Sequence, residues 1–316
     1  MQKIFRYDSN FIKVLGRKIK AFKNLNFIPY SKGLKVTLHI HCPDRPGIIR
    51  AVTQFFHLRG GNILYLDQHV DQEAGVFFMR LECDFAQNDP GLSMLKESIA
   101  IELAEQYHME WDLYQEGLRP RMAIFVSKYN HCLYDLLSRF RSGELEVDIP
   151  FIISNHEDLR HIADQFDIPY HCIPVNKVNK HEAETRQLEL LQSHKVDFVV
   201  LARYMQIVSP LLIGAYPNRI INIHHSFLPA FAGAKPYHAA FERGVKIIGA
   251  TSHYVTEDLD AGPIIEQDVT TVSHVHTVRD FVSKGRDLEK IVLATAVKLH
   301  IAHKTMVYNN KTVIFY

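Results

Sequence analysis

The stretch INIHHSFLPAFAGAKPYH, residues 221–238, sets an amide and an imidazole two residues apart, Asn222 and His224. Ile221 and Ile223 alternate with them, as in a strand whose i and i+2 side chains point the same way. Both polar groups can therefore address one spot. An amide donates a hydrogen bond, and an imidazole moves protons near neutral pH. Together they suit an oxyanion and a proton transfer at a carbonyl carbon. A third partner is expected from GATSHYVTEDLDAGPIIEQ, residues 249–267, where Asp258 and Asp260 lie in a loop just before Ala-Gly-Pro. The bland alternatives are that Asn222 caps a turn, His224 packs at a strand end, and the two acids are solvated. A metal reading draws on His224, His225, His238 and His253, but none of them has HExxH-like ligand spacing, so no metal is expected.

Positioning these groups takes a scaffold, and the rhythm of the chain supplies one. From residue 122 onward, strands alternate with helices: 122–127, 131–141, 147–154, 157–165, 169–173, 181–194 and 196–201. The run VDFVVL is apolar on both faces, as a central parallel strand requires. Strand 219–224 carries the Asn-x-His pair, and 246–255 and 263–270 follow as further strands. Leu288, Ile291, Val292, Ala296 and Leu299 mark a long amphipathic helix. MVYNNKTVIF reads as a closing hairpin turned on Asn-Asn. This is a doubly wound α/β plan with a mainly parallel sheet, and such sheets gather ligands at the carboxyl ends of their strands.

The upstream part differs. LKVTLHIHC alternates as a strand. PDRPGII then opens a helix, with Asp44 as its cap and Pro46 in its first turn. Two strands around DQEAG, a helix at 92–106 and a strand at 108–114 complete a βαββαβ, ferredoxin-like order. QEGLRPR, residues 115–121, is the expected linker. The reading is therefore a basic extension at 1–33, a small domain at 34–115 and a larger one at 121–316. The extension carries eight Lys/Arg and one acid. Scarce Ser speaks against a transit peptide, which leaves an unordered tail or an upstream start codon.

The 316 residues hold four scattered cysteines and a formal net charge of +1. No CxxC pair suggests a disulfide framework or a structural zinc, so a reducing, cytoplasmic setting is expected. Neither the charge nor any apolar run calls for nucleic acid or a membrane.

NIHHSFLPAFAGAKPYHAAFERG and GATSHYVTEDLDAGPIIEQ, taken together, resemble the formyltransferase-fold family that uses 10-formyltetrahydrofolate. The likeness to the formyltetrahydrofolate deformylases within that family is closer still, over about residues 34–316. DRPGI in a βαββαβ setting looks like their N-terminal ACT domain. The resemblance puts the catalytic asparagine, histidine and aspartate on Asn222, His224 and Asp260, the acid directly before the small-Gly-Pro step. LARYMQIVSP would be the pterin-side loop, with Met205, Gln206, Ile207 and Val208 lining the folate pocket. Its bland alternative is a helix start. Thr256 and Glu257 would close the other side, and His225 would face away.

The reaction so implied is hydrolysis of 10-formyltetrahydrofolate to formate and tetrahydrofolate. It would supply formate for purine synthesis and balance one-carbon pools, with water as acceptor and no cofactor. The ACT resemblance implies a small amino acid bound at Asp44, Arg45, Pro46 and Gly47, and a homo-oligomer; a dimerisation module without ligand is the alternative. There are departures. SKYNHCLYDLL has Tyr129 and Tyr134 where smaller residues are usual, and no Gly-rich turn for a phosphorylated acceptor. Thr256 stands in place of a more usual Asn. A formyltransferase to a small amine, or a non-catalytic folate or amino-acid sensor, are the competing readings.

Overall fold

The computed structural model describes residues 33–85, 89–230 and 236–316. Almost all of the basic extension therefore lies outside the described residues, as does Gly233 of the Pro/Gly-punctuated loop. The chain divides into two units between Glu116 and Gly117.

The first unit runs β1 (Leu34–Pro43), α1 (Ile48–Leu58), β2 (Asn62–Asp71), β3 (Val76–Phe85), α2 (Leu92–Ile99) and β4 (Glu110–Gln115). Its four strands lie in the order β2-β3-β1-β4, the βαββαβ arrangement. Alternation in β1 sends Val36, Leu38, Ile40 and Cys42 into one core with Phe55 and Phe56 of α1. One boundary and one helix interior differ from expectation. α1 starts one residue after Gly47, whose φ of 96° is left-handed, and not at the Asp44 cap. The polar Asp-Arg-Pro turn stays outside the helix because glycine takes that bend without a Cβ clash. The second helix passes through a π-helical segment, Ala100–Ala104, before ending at Tyr107.

The second unit runs β5 (Met122–Val126), α3 (His131–Arg141), β6 (Ile152–Ser154), α4 (Arg160–Gln165), β7 (Tyr170–Cys172), α5 (Lys180–Ser193) and β8 (Phe198–Leu201). It continues with α6 (Pro210–Ala215), β9 (Ile220–His224), α7 (Pro236–Arg243), β10 (Ile247–Tyr254), β11 (Ile264–Thr271), α8 (Val278–Ile301), β12 (Thr305–Tyr308) and β13 (Lys311–Ile314). The seven-stranded sheet has the order β11-β10-β9-β8-β5-β6-β7. β8, the VDFVVL strand, is fully buried at its centre. Ile124 and Val126 enter one core with α3 and α8, while Ala123 and Phe125 enter another with α5 and α6. Burial on both faces is why these strands read as unbroken apolar runs.

The sheet is parallel from β9 to β7, and β10 and β11 are antiparallel. β6 is shorter than the expected 147–154. Pro150 has no N–H for the ladder, and upstream of β6 only an isolated bridge, Arg121 to Asp148, joins the two segments. α8 begins well before its apolar stripe because Thr277 and Asp280 form a reciprocal capping box. No helix among the described residues is long and apolar enough to cross a membrane.

Candidate active site

β9 is the seam of the sheet, with a parallel neighbour on one side and an antiparallel one on the other. It carries Asn222 and His224. The antiparallel register sets His253 of β10 directly opposite Asn222. Asn222 Nδ2 lies 3.2 Å from His253 Nε2, and His253 Nδ1 lies 2.9 Å from the Tyr254 carbonyl oxygen. A carbonyl only accepts, so Nδ1 carries the proton and Nε2 accepts from the Asn222 amide in the neutral ring. The second amide hydrogen of Asn222 stays available to a substrate oxygen.

The loop after β10 returns to this pair. Asp260 adopts a left-handed φ of 55°. Its carboxylate lies 3.2 Å from His224 Nδ1 and 3.6 Å from His253 Nε2. The hydrogen bond from His224, and then the nearby His253 imidazole, which offers Nε2–H to the carboxylate only when the ring is protonated, hold the carboxyl well below the usual carboxylate range, against the opposing effect of burial. With Nδ1 committed to Asp260, His224 is left with Nε2, which is buried and has no hydrogen-bond partner. Such an orphaned ring nitrogen is costly unless something outside the described contacts uses it. Asp258 is exposed and holds neither imidazole.

Supporting bonds fix the strand end. Ser252 Oγ donates to the Asn222 carbonyl at 2.9 Å, and Thr251 Oγ1 to that of Ser226 at 2.8 Å. Thr256 is half-buried and bonds the Asp258 carbonyl, while Glu257 is exposed. The His225 ring lies between two neighbours, its centre 5.2 Å from that of His224 and 5.9 Å from that of Tyr237, so it does not face away from the site as expected.

Residues 202–209 form an irregular loop, and α6 begins only at Pro210. Ser127 Oγ bonds Asn155 Oδ1 at 2.6 Å and accepts from Met205 N at 2.9 Å. Buried Glu184 accepts from Ser209 N at 2.9 Å. Held at both ends, the loop exposes Met205 and Ile207, buries Val208 and half-buries Gln206.

A second polar cluster was not visible in the sequence. Glu289 of α8, with its side chain 1% exposed, meets His131 Nε2 at 2.8 Å and Arg203 Nε at 3.4 Å. Tyr237 Oη donates to it at 2.7 Å. Gly285, one turn earlier, makes room for the Tyr237 ring, which a Cβ would meet at 2.1 Å. The Arg203 and Arg286 guanidiniums lie over Tyr129, 5.0 and 5.8 Å from its ring centre. Tyr134 lies half-exposed on α3.

Among the described residues, the one metal-like grouping is His131, Cys132 and Glu289, not the four histidines weighed from the sequence. Burial pushes the Cys132 thiol well up, which disfavours a thiolate ligand. In the first unit, Asp44, Arg45, Pro46 and Gly47 line a cleft of about 630 Å³ together with Gln68 and Phe77. The Arg45 guanidinium sits 4.3 Å over the Tyr107 ring.

A parallel sheet carrying an Asn-x-His strand end and a carboxylate loop is the architecture of a formyl transferase domain, and the formyl transferase family model matches residues 120–297. The ACT domain model matches residues 36–97. A formyltetrahydrofolate deformylase of Synechocystis sp. is 52% identical over 287 residues, 90% of this chain and 99% of that protein. One of Bacillus subtilis is 49% identical, over 89% of this chain and 94% of that protein. The solved structure of a formyltetrahydrofolate deformylase from Pseudomonas syringae pv. tomato superposes with a TM-score of 0.87 at 45% identity, covering 95% of this chain and 99% of that one. Glycinamide ribonucleotide transformylase 1 from Symbiobacterium toebii superposes at 0.60 with 29% identity, over 65% of this chain and 98% of that one. The chain belongs to the formyltetrahydrofolate deformylase family.

Proposed function

We propose that the chain hydrolyses the N10-formyl group of 10-formyltetrahydrofolate, and that Asn222, His224 and Asp260 carry the reaction. One observation supports this most: His224 has Nδ1 held by Asp260 and leaves Nε2 buried and unpartnered. The formyl oxygen sits between the Asn222 amide and His224, and a water lies beside the Asp260 carboxylate. Water attacks the formyl carbon, and its proton passes to the Asp260–His224 pair. The carbonyl electrons move onto oxygen, where Asn222 donates to the new oxyanion. The C–N10 bond then breaks, N10 takes the proton relayed by His224, formic acid gives up its remaining proton to solvent, and formate and tetrahydrofolate leave. One oxyanion donor is worth roughly 3–4 kcal/mol of barrier.

Met205, Gln206, Ile207 and Val208 line the pterin side, partly through backbone groups, and Thr256 and Glu257 close the opposite side. The steps need no cofactor and no metal. Formate released in this way feeds purine synthesis and balances one-carbon pools. The cleft at Asp44–Gly47 takes a small amino acid as effector, and the chain works as a homo-oligomer. Four free cysteines fit a reducing cytoplasm.

The test is formate release from 10-formyltetrahydrofolate with no amine acceptor present. Asp260→Asn should keep folate binding and lose most turnover. An acceptor requirement would favour the transferase reading, and binding without turnover a sensor. Calorimetry with glycine and methionine tests the effector, and no heat with either leaves a dimerisation module.

A further inference from the structure

The Asp260 loop is held from a part of the chain that the proposed reaction does not use. β12 and β13 form a hairpin. Its turn residues, Asn309 and Asn310, both adopt left-handed φ values, 45° and 58°. Such a pair defines the mirror-image turn that suits a two-residue hairpin. Asn310 Nδ2 donates to the carbonyl of Ala261 at 2.9 Å, one residue beyond Asp260.

The base of the hairpin is anchored to the same neighbourhood. Thr305 Oγ1 lies 2.7 Å from Tyr254 Oη, and His300 Nδ1 lies 2.8 Å from that hydroxyl. Tyr254 directly follows His253, and its N–H donates to the Pro263 carbonyl at 2.9 Å. Val307 and Ile314 pack on the main core, so the hairpin is a fixed body. Between these anchors, Gly262 passes so close to Tyr254 that a Cβ would lie 1.8 Å from its carbonyl oxygen. Asp260 tolerates its left-handed φ, but the direction of its carboxylate depends on how the adjoining peptide groups are held. Thr256 bonds the loop from within, and Asn310 is the side chain from another element that bonds its backbone next to Asp260 among the described residues.

We propose that Asn310 is a positioning residue for the reaction: its amide, presented by the hairpin turn, fixes the Ala261 carbonyl and so aims the Asp260 carboxylate at His224 and His253. This rests on Asp260 acting in the reaction described above. The arrangement stabilises a working geometry of the loop; Asn310 itself touches neither substrate nor reacting atoms.

Two substitutions isolate the amide. Asn310→Gly keeps the turn, because Asn-Gly is a preferred sequence for it, and removes the donor. Asn310→Asp keeps the size and the tolerance of left-handed φ but cannot donate to a carbonyl. Formate release is followed to give kcat and KM, and the melting temperature is recorded for each variant. For both, kcat should fall about fivefold or more, since a small displacement in a reacting constellation costs rate, while KM stays within about twofold. Melting temperatures should stay within about 2 °C of wild type, because an exposed hydrogen bond contributes little stability.

A smaller loss of kcat in Asn310→Gly overturns the proposal. So does a rise in KM in its place, or a loss that tracks a lowered melting temperature and is recovered on cooling. Asp260→Asn runs in the same assay. If it stays active, the catalytic reading fails. If it is inactive while Asn310→Gly turns over normally, only the positioning role fails.

Discussion

Asn222 and His253 lie opposite each other on antiparallel strands, with Nδ2 3.2 Å from Nε2, and the same imidazole nitrogen reaches Asp260 at 3.6 Å. His253 therefore joins the proposed oxyanion donor, Asn222, to the carboxylate. Removing it in His253→Ala frees both. The Asp260 carboxyl then loses one of the two imidazoles that keep it low and moves back toward the ordinary carboxylate range. We expect kcat to fall on the order of tenfold near neutral pH, and to fall further as the pH is lowered. A kcat–pH profile that overlays the wild-type curve would remove His253 from the site.

Asn222→Ala deletes the donor itself. kcat should drop on the order of 100- to 1,000-fold with little change in KM, the pattern of an interaction made in the transition state. Because Asn222 also bonds His253, the double variant should lose less than the two single losses multiplied. Steady-state kinetics on the four proteins of the cycle decides it.

His300 gives stability a pH dependence. Its ring packs 4.7 Å from Phe198, and burial pushes its pKa down to about 3 from the usual 6.5. Between those values the unfolded chain binds a proton that the folded chain refuses, so stability falls as the pH drops. We expect a loss of about 1–2 kcal/mol from near pH 7.5 to about pH 5, most of it absent in His300→Gln. Urea melts at the two pH values measure it. An equal loss in the variant would assign the effect elsewhere.

Glu289 brings together side chains from α3, α7 and the 202–209 loop. Its carboxylate already meets the Arg203 cation, His131 and Tyr237, so the charge is compensated by protein groups. Extended dialysis against a chelator should leave formate release within about twofold of the untreated rate, since no metal chemistry is assigned to the site. Loss of turnover that zinc restores would reassign His131, Cys132 and Glu289 as ligands.

Much of this was legible in the sequence. The two-face burial of β8 appears as VDFVVL, and the i, i+2 spacing of Asn222 and His224 as shared direction. The separation of Asp260 from Asp258 came from the resemblance, since both acids sit in one polar loop. His253 was weighed only as a metal ligand. Its place depends on the register of β10 against β9, a non-local pairing that no local period records, although the match of GATSHY to a strand running back along INIH is the signal that was there to use. α1 was placed too early because Asp44 and Pro46 are good cap residues, and a left-handed Gly47 overrode them. The start of α8 was also readable, as Thr-x-x-Asp at 277–280. The Glu289 cluster joins residues more than 150 positions apart, His131 among them, and has no local signature.

Asp260 offers one negative charge to two imidazoles. One added proton makes this trio electrically neutral, which in the proposed reaction is its state while the oxyanion is present. In that reaction, once the proton has gone to N10 and formic acid has ionised to solvent, the bare carboxylate and the new formate carry like charge. Like charges at short range repel, and on this reading the half-buried carboxylate pushes the small product out after the folate has taken its hydrogen. Millimolar formate should therefore barely slow the initial rate.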